Sequence, residues 1–418
     1  MTLKKILVGF VLMILVNSYL FPIQFTFLPP SINSKMLLGV FGIFGFAFDS
    51  VRKGGMRFSE YTLIAGVIAA IFSVWCLFSV TASNSTNYIY CDYIVSFLTW
   101  MAGAYGVYTV LRLAYGTVDL PVLTRYLALV AVFQCVTALL IDNVQGFSDF
   151  VDSFMYVEDD FYKVNKRMYG IGAALDPGGI RFSAILVMIA HQLATNEQAR
   201  SDMRFVSTYM IAYATTILIG SVISRTTLVG AGIGLGYILV FLLRLRKGGF
   251  ITTKLVRLYV LFFLILTLIV VVSIFLYNSN EVFRGYLRFG FEAFFNWVET
   301  GEFRTDSTDT LIERMWIWPD DLRTWLIGQG TFGIYDNNTD IGYCNFVLYC
   351  GLIGLAIFSA YFLYCHLILN RKFKDFWMLS LILVALTFIF WIKVTTDIFY
   401  IDALLFCISG DYEEELML

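Results

Sequence analysis

Charged residues are scarce in this sequence. Asp, Glu, Lys and Arg make up 14% of the 418 residues, whereas a soluble domain carries about 25%. Hydrophobic residues make up 59%. This composition excludes an ordinary soluble protein and predicts an all-α polytopic membrane protein, because only helices with internally satisfied backbone groups cross lipid in such runs. The net charge of −2 gives no sign of a nucleic-acid partner, and none is expected.

Histidine and metal-binding patterns are equally scarce. The two histidines, His191 and His366, lie near predicted cytoplasmic helix ends. The seven cysteines are scattered through apolar segments with no Cys-x-x-Cys pair, and such cysteines behave as small buried hydrophobes. The sequence therefore predicts no metal, no cofactor and no Ser/His/Asp set on the outer face.

Apolar runs dominate what remains. A spanning helix needs about 20 apolar residues, and about twelve candidates follow one another. The whole chain, residues 1–418, is predicted to form one integral membrane domain, with a retained first helix and a last run that is short for a full span. The predicted helices cover 6–25, 34–50, 61–80, 89–111, 122–141, 181–196, 205–223, 227–243, 257–277, 342–369, 376–393 and 398–410.

Basic residues set the predicted orientation. Short cytoplasmic loops are rich in Lys and Arg, and the basic connections all fall on one side of the predicted helices. The N-terminus is then cytoplasmic, and the two long loops, 142–180 and 278–341, face outward, which is the periplasm for a bacterial inner membrane. The basic residues are Lys4, Lys5, Arg52, Lys53, Arg57, Arg112, Arg200, Arg204, Arg244, Arg246, Lys247, Arg371, Lys372 and Lys374.

Arginines are concentrated on the predicted outer side. Arginine suits bidentate contacts with phosphate. Arg225 lies in a tight turn between two apolar helices, at the depth of a lipid diphosphate head group. The alternative is an interfacial anchor whose side chain reaches lipid phosphates. The outward arginines are Arg167, Arg181, Arg225, Arg284, Arg288, Arg304, Arg314 and Arg323.

The first long loop ends in a glycine-rich turn. Arg167 and Arg181 flank the sequence Asp176-Pro177-Gly178-Gly179. Glycines allow close backbone approach to a ligand, and proline fixes a turn before the helix predicted at 181. An ordinary loop before a helix start explains the same residues.

Two carboxylates stand apart from the other acidic residues of the large loop, which are predicted to be solvated. Asp336 and Asp340 lie at the mouth of the predicted helix 342–369. A carboxylate there either caps the helix N-terminus or takes a proton from a sugar hydroxyl. Within the apolar runs charges are few, and Lys393 and Asp397 are predicted to pair near an outer helix end.

Three motifs on the predicted outer side resemble, in their sequence and in their order along the chain, the Wzy-type O-antigen and capsule polymerases of the O-antigen polymerase and ligase superfamily. They are "RMYGIGAALDPGG" in the first long loop, "SRTTLVG" in an outer turn, and "LIGQGTFGIY" followed by "NNTDIGYCNFVLYCGLIGL" after the large loop. Arg167 and Gly178 also fit an Arg-x10-Gly spacing of some polymerase loops. The resemblance covers topology along nearly the whole chain and about fifty residues of specific sequence.

The resemblance implies an inverting, metal-independent glycosyltransferase with a GT-C-like helical fold. The expected donor and acceptor are glycans linked to undecaprenyl diphosphate, and the other expected partners are membrane lipid, a chain-length regulator and a flippase. By this resemblance Arg225, Arg167 and Arg181, then Arg304, Arg314 and Tyr343, bind the diphosphate or substrate, and Asp340 and Asp336 are the catalytic candidates.

Three alternatives stay open: a ligase, a flippase or other transporter, and a non-catalytic scaffold or sensor of similar topology. The related O-antigen ligases carry a histidine just before the corresponding helix, where counting back from Gly351 and Gly354 finds Asp340, so a polymerase is favoured over a ligase that transfers glycan to lipid A-core. A flippase would explain twelve helices. It would explain neither the two charged outer loops nor the lack of an internal repeat, and transporters usually carry more intramembrane acids.

Overall fold

The computed structural model describes residues 3–52, 54–55, 59–156, 167–196, 203–248, 253–373 and 376–416. A helix is present at each of the twelve predicted places. Helix α8 continues through a π-helical turn (Thr216–Gly220) into Ser221–Ile223. The helices are α1 (Leu3–Leu20), α2 (Ser34–Arg52), α3 (Glu60–Ala82), α4 (Tyr93–Tyr115), α5 (Leu120–Asn143), α6 (Gln145–Phe154), α7 (Leu175–Thr195), α8 (Met203–Thr215), α9 (Thr227–Gly248), α10 (Thr253–Ser279), α11 (Glu281–Gly290), α12 (Glu292–Thr300), α13 (Asp306–Arg314), α14 (Leu322–Ile327), α15 (Ile334–Asn337), α16 (Gly342–Lys372), α17 (Trp377–Phe390) and α18 (Phe399–Leu416).

Seven helices of the described chain are long and apolar enough to cross a membrane. They are α2, α3, α4, α5, α7, the stretch Phe205–Ile223 that contains most of α8, and α16. Helices α9, α10, α17 and α18 contribute shorter apolar stretches. The chain is therefore a polytopic all-α membrane protein. Of the basic residues that set its predicted orientation, Lys53, Arg57, Arg200 and Lys374 lie outside the described residues.

The chain forms two compact units. Unit 1 comprises Met1–Ser34 and Val118–Phe303, and unit 2 comprises Lys35–Thr117 and Arg304–Leu418. Helix α7 is the central element of unit 1, with 89% of its apolar stretch buried. Ser183 of α7 donates from Oγ to the Thr226 carbonyl at 2.8 Å and accepts from the Gly230 N–H at 3.2 Å. This hydroxyl holds the start of α9 against α7.

Both predicted outer loops contain helices. Helix α7 begins at Leu175 instead of 181, so Asp176–Gly179 form its first turn; proline is tolerated there because first-turn N–H groups have no intrahelical acceptor. Helix α6 buries Val151 in a cluster with Ile23, Ile141 and Met155, so a short amphipathic helix replaces part of the predicted loop. Helices α11 to α15 lie within 278–341.

Unit 2 is built around a break in α16. Gly351 has φ 68° and ψ −179°, which no helix contains. A Cβ at this position would meet the Leu326 carbonyl oxygen at 2.2 Å. Only glycine takes up this backbone conformation without strain and leaves room for that carbonyl.

The break releases three carbonyl groups from the helical pattern, and each finds another donor. The Leu348 carbonyl accepts from the Gln329 N–H at 2.7 Å, the Tyr349 carbonyl from the Gly330 N–H at 3.1 Å, and the Cys350 carbonyl from Trp75 Nε1 at 2.8 Å. Non-helical backbone within an apolar bundle is stable only where protein groups satisfy it. The backbone N–H groups of the segment 328–330 therefore replace part of the hydrogen bonding that one helical turn would supply.

This arrangement predicts a strong effect of Gly351→Ala. The added methyl group clashes with the Leu326 carbonyl and strains the backbone, so we expect the free energy of unfolding to fall by about 2–4 kcal/mol. Thermal unfolding of the purified protein in detergent measures the change.

Gly236→Ala is the matched control, because a Cβ at this α9 position has open space. Alanine is the better helix former there by about 1 kcal/mol, so stability should be unchanged or slightly higher. Equal melting temperatures for the two variants would contradict the role of the break.

Candidate functional site

The turn that carries Arg225 is fixed by a carboxylate from α7. Ser224 Oγ donates to Asp176 Oδ1 at 3.3 Å, and Thr226 Oγ1 donates to the same oxygen at 2.6 Å. The two residues that flank Arg225 are thus bonded to one acceptor in the first turn of α7. Because short polar bonds on both sides hold the turn, the direction in which Arg225 leaves it is set by α7 as well as by α8 and α9.

Gly179 explains why the glycine-rich motif lies at this place. A Cβ on Gly179 would meet Ser224 Oγ at 2.5 Å and Ser224 Cβ at 2.7 Å. The turn can approach α7 only because this residue has no side chain. The motifs "LDPGG" and "SRTT" begin 49 positions apart, at Leu175 and Ser224, yet they form one contact. Asp176 supplies the acceptor and Gly179 the space.

Two arginines converge on one aromatic ring in unit 1. The guanidinium carbon of Arg225 lies 4.3 Å from the centroid of the Phe289 ring, and that of Arg167 lies 5.2 Å from the same centroid. A cation within about 6 Å of a ring centroid is attracted to its face. The end of α11 therefore gathers two guanidinium groups from chain positions 58 residues apart.

Arg225 also has a carboxylate partner. Its Nη1 lies 2.5 Å from Glu292 Oε2 at the start of α12, and the two side chains are 21% and 17% exposed. Partial burial makes this pair stronger than a solvated surface pair, whose median contribution is about 0–1 kcal/mol. Glu292 therefore balances part of the positive charge that Arg167 and Arg225 place around Phe289.

Arg181 is held by its own helix. Its Nη1 donates to the Pro177 carbonyl at 3.0 Å, and its guanidinium lies 5.8 Å from the centroid of the Phe21 ring. The contacts thus group Arg167 with Arg225 at Phe289 and place Arg181 at the first turn of α7. Its predicted contact with a diphosphate stays a prediction.

In unit 2 a buried amide holds the segment that carries the catalytic candidates. Asn345 is 2% exposed. Its Oδ1 accepts from the Gly333 N–H at 2.8 Å and from Asn337 Nδ2 at 3.2 Å, and its Nδ2 donates to the Thr339 carbonyl at 2.9 Å. One side chain of α16 thereby fixes both ends of the segment 333–339.

Asp336 lies on this segment and Asp340 directly follows it, and both side chains are exposed. Asp336 Oδ2 accepts from Asn87 Nδ2 at 3.2 Å and from the Phe332 N–H at 3.3 Å. Helix α16 begins at Gly342, and its N-cap residue is Ile341, whose side chain forms no cap bond. Asp340 lies one residue before the N-cap, and both of its predicted roles, at the helix N-terminus and in proton transfer, stay predictions.

Tyr343 has a packing role. Its hydroxyl donates to the Phe388 carbonyl at 2.9 Å, and its N–H donates to the Trp391 carbonyl at 3.0 Å. These bonds join the start of α16 to the end of α17. The substrate contact predicted for Tyr343 stays a prediction.

The remaining predicted residues are Arg304, which lies just before α13, and Arg314, which lies on it. Arg304 Nε is 2.8 Å from Asp309 Oδ2, with side-chain exposures of 50% and 25%. Arg314 is exposed in the last turn of the same helix. An exposed ion pair of this kind contributes little to stability, so Arg304 remains accessible for a ligand at small cost.

Sequence reasoning missed several residues. The sequence predicts Glu292 to be solvated and gives no signal for Phe289, because pairing across the chain is not a local pattern. It marks Asp176 only as part of a glycine-rich turn and not as the acceptor that holds Ser224 and Thr226. Asp402 had a signal: a lone carboxylate inside the apolar run "FYIDALLFCIS". It is 0% exposed in α18, and its Oδ1 lies 3.4 Å from Nε2 of His366, which is 3% exposed. Intramembrane acids of this kind mark functional sites by default.

Comparison of the chain with protein-family models, with curated proteins and with solved structures found no match. The resemblance to the polymerases therefore stays a prediction.

The geometry at Asp176 gives a test. Asp176→Ala removes the acceptor of two hydroxyl groups, and we expect the free energy of unfolding to fall by about 1–3 kcal/mol, the usual cost of losing a buried polar partner. Thermal unfolding in detergent measures it. Asp149→Ala is the control: Asp149 is exposed and accepts from the exposed Gln145 within α6, so its loss should change stability by less than about 0.5 kcal/mol.

Proposed function

We propose that this protein is a membrane glycosyltransferase that polymerises undecaprenyl-diphosphate-linked repeat units into O-antigen, capsular or exopolysaccharide on the outer face of a bacterial inner membrane. The observation that carries the proposal is the pair of arginines, Arg167 and Arg225, on the Phe289 ring. In this proposal the chain has about twelve spans and a GT-C-like fold, and both long loops face outward.

The chemistry requires a cationic site. A hydroxyl of the acceptor sugar attacks the anomeric carbon of the donor, the bond from that carbon to the diphosphate oxygen breaks, and the anomeric configuration inverts. Negative charge grows on the leaving diphosphate in the transition state, where preorganised guanidinium groups stabilise it. Two arginines suit the several anionic oxygens of a diphosphate better than one.

Glu292 has a defined part in this scheme. It occupies Arg225 at 2.5 Å, so an arriving diphosphate competes with a carboxylate for the same guanidinium. Such competition discriminates against anions with a single charge, because only a ligand with more charge binds Arg225 more favourably than Glu292 does.

The proton of the attacking hydroxyl needs an acceptor. We assign it to Asp340 as general base, because this exposed carboxylate is held next to the start of α16 by the segment that Asn345 fixes and its task is ordinary for a carboxylate. Asp340→Asn should abolish polymerisation while Asp149→Asn leaves it intact. Full polymerising activity in Asp340→Asn would exclude this role.

A second candidate function is transport of the same lipid-linked unit. Two observations favour it: the His366–Asp402 pair buried in unit 2 and the break of α16 at Gly351. Buried acids and discontinuous helices are typical of transporters. We rank it second because in a transporter the arginines around Phe289 would serve only to bind the diphosphate, whereas the polymerase also uses them to stabilise the charge that grows on the leaving group. The ligase alternative has no observation of its own and ranks below both.

The deciding experiment measures the lipid-linked glycans in cells that lack this protein. The glycans are separated by length and by the membrane leaflet in which they lie. A polymerase leaves single repeat units stranded on the outer leaflet. Single units trapped on the inner leaflet would indicate a flippase, and long lipid-linked chains that are never transferred would indicate a ligase.

Arg225→Lys tests whether the guanidinium group over the Phe289 ring binds the diphosphate. Lysine keeps the charge but loses the planar guanidinium, its bidentate geometry and its stacking on Phe289. We expect polymer formation in complemented cells to fall at least about tenfold, with single units accumulating. Arg112→Lys is the control, because Arg112 also lies over an aromatic ring, that of Tyr108, on the predicted cytoplasmic side. Wild-type polymer levels in Arg225→Lys would exclude a diphosphate role for this residue.

A further inference from the structure

Three tryptophans of unit 2 form a row before α16, of which Trp316 and Trp318 are exposed and Trp325 is half-buried. The rings of Trp316 and Trp318 have centroids 5.7 Å apart at 38°, and those of Trp318 and Trp325 have centroids 5.4 Å apart at 16°. Nearly parallel rings at that separation are offset instead of face to face, so part of each face stays open. Trp316 is 41% exposed and Trp318 is 39% exposed. We call these three residues the tryptophan row.

The row is rigidly placed. The Met315 carbonyl accepts from Thr339 Oγ1 at 2.6 Å and from the Ile317 N–H at 3.0 Å. Thr339 directly precedes Asp340 and is also bonded to Asn345. The segment that starts the row is therefore tied to the segment that carries the proposed general base. A surface fixed in this way loses little side-chain freedom when a ligand binds, which favours affinity.

Carboxylates accompany the rings. Asp320 and Asp321 are exposed and lie in the short connection between Trp318 and Trp325. Asp321 Oδ1 accepts from the Thr324 N–H at 2.9 Å. Hydrogen bonds from the Thr324 side chain and backbone hold the pKa of Asp321 below its usual value, so this carboxylate is ionised at neutral pH and offers acceptor oxygens beside the rings.

We propose that the tryptophan row is a glycan-binding platform for the growing saccharide chain. One face of a pyranose ring is lined by C–H groups and packs on an indole, while its hydroxyl groups donate to neighbouring carboxylates. Open indole faces next to exposed Asp320 and Asp321 supply both contacts. The inference rests on the proposed function, because that function brings a saccharide to this chain.

The row differs in charge from an interfacial aromatic belt. Tryptophan is enriched at membrane–water interfaces, where basic neighbours are attracted to anionic lipid. Here the direct neighbours in the connection are two carboxylates, which anionic lipid repels, and the nearby Arg323 donates to the Ala82 carbonyl. A neutral polyhydroxyl ligand suits this surface better than a phospholipid head group.

Binding is tested on the full chain in lipid nanodiscs. The probe is the repeat-unit oligosaccharide released by mild acid from the lipid-linked pool of the same cells, titrated by saturation-transfer NMR. Trp318→Ala should weaken binding by about three- to tenfold, the value of one aromatic contact, and Asp320→Asn should weaken it without any effect on folding. Trp297→Ala, which removes an exposed tryptophan of α12 outside the row, should bind as the wild type does.

Two results would overturn the platform. One is equal oligosaccharide binding by wild type, Trp318→Ala and Asp320→Asn. The other is quenching of tryptophan fluorescence by brominated phospholipid that disappears in Trp318→Ala, which would place the row in the bilayer as an anchor.

Failure of the platform is distinguishable from failure of the proposed function. Polymer of wild-type length from Trp318→Ala would reject the platform and keep the polymerase, whereas shorter polymer with normal joining of the first two units supports both. The opposite case has two results. Oligosaccharide binding is lost in Trp318→Ala, and deletion of the protein leaves the lipid-linked glycan pool unchanged. Together these results would keep the platform and reject the polymerase.

Discussion

Unit 2 depends on the satisfaction of three backbone carbonyls. In an apolar bundle a carbonyl without a donor costs several kcal/mol, so a helix breaks only where replacements are ready. The main chain at Gln329 and Gly330 and the indole of Trp75 supply them. These bonds fix the residues that follow α14 against α16. Asn345, which lies six residues before the break, then fixes the next segment from Gly333 to Thr339.

Unit 1 uses a different device for a comparable result. Its key turn is short and polar, and it is held by one carboxylate and by the absence of a side chain at Gly179. Around it, Phe289 and Glu292 receive the guanidinium of Arg225 from two sides. These contacts hold the guanidinium of Arg225 in a fixed place, so that in the proposed function a diphosphate would meet a positioned cation and would displace Glu292 from it.

The helices were predictable because burial in lipid demands length, and length is visible in a sequence. A helix is present at each of the twelve predicted runs, but some helix ends differ from the predicted ones. Helix α7, for example, begins at Leu175 with Pro177 in its first turn, six residues before the predicted start at 181. The break at Gly351 was not predictable, since a glycine within an apolar run is common and its φ depends on Leu326. The type and position of Arg225 led to its prediction as a site residue, and that role stays a prediction; its partner Glu292 was not predicted, because ion pairing between distant residues leaves no local pattern. Asp402 could have been found, as a carboxylate in an apolar run.

The π-helical turn Thr216–Gly220 has a consequence for how this protein can change over evolution. A π-turn holds one more residue than the α-helical turn it replaces, and each residue of an α-helix rotates the chain by about 100°. The wider turn therefore absorbs one extra residue without changing the facing direction of the Ser224–Thr226 turn that follows it. Loss of one residue within Thr216–Gly220 would turn this stretch into α-helix and leave the arginine on the same face, whereas loss of one residue from the regular part of α8 would rotate the arginine by about 100°. Changes in length are therefore tolerated in the π-helical turn more readily than elsewhere in α8.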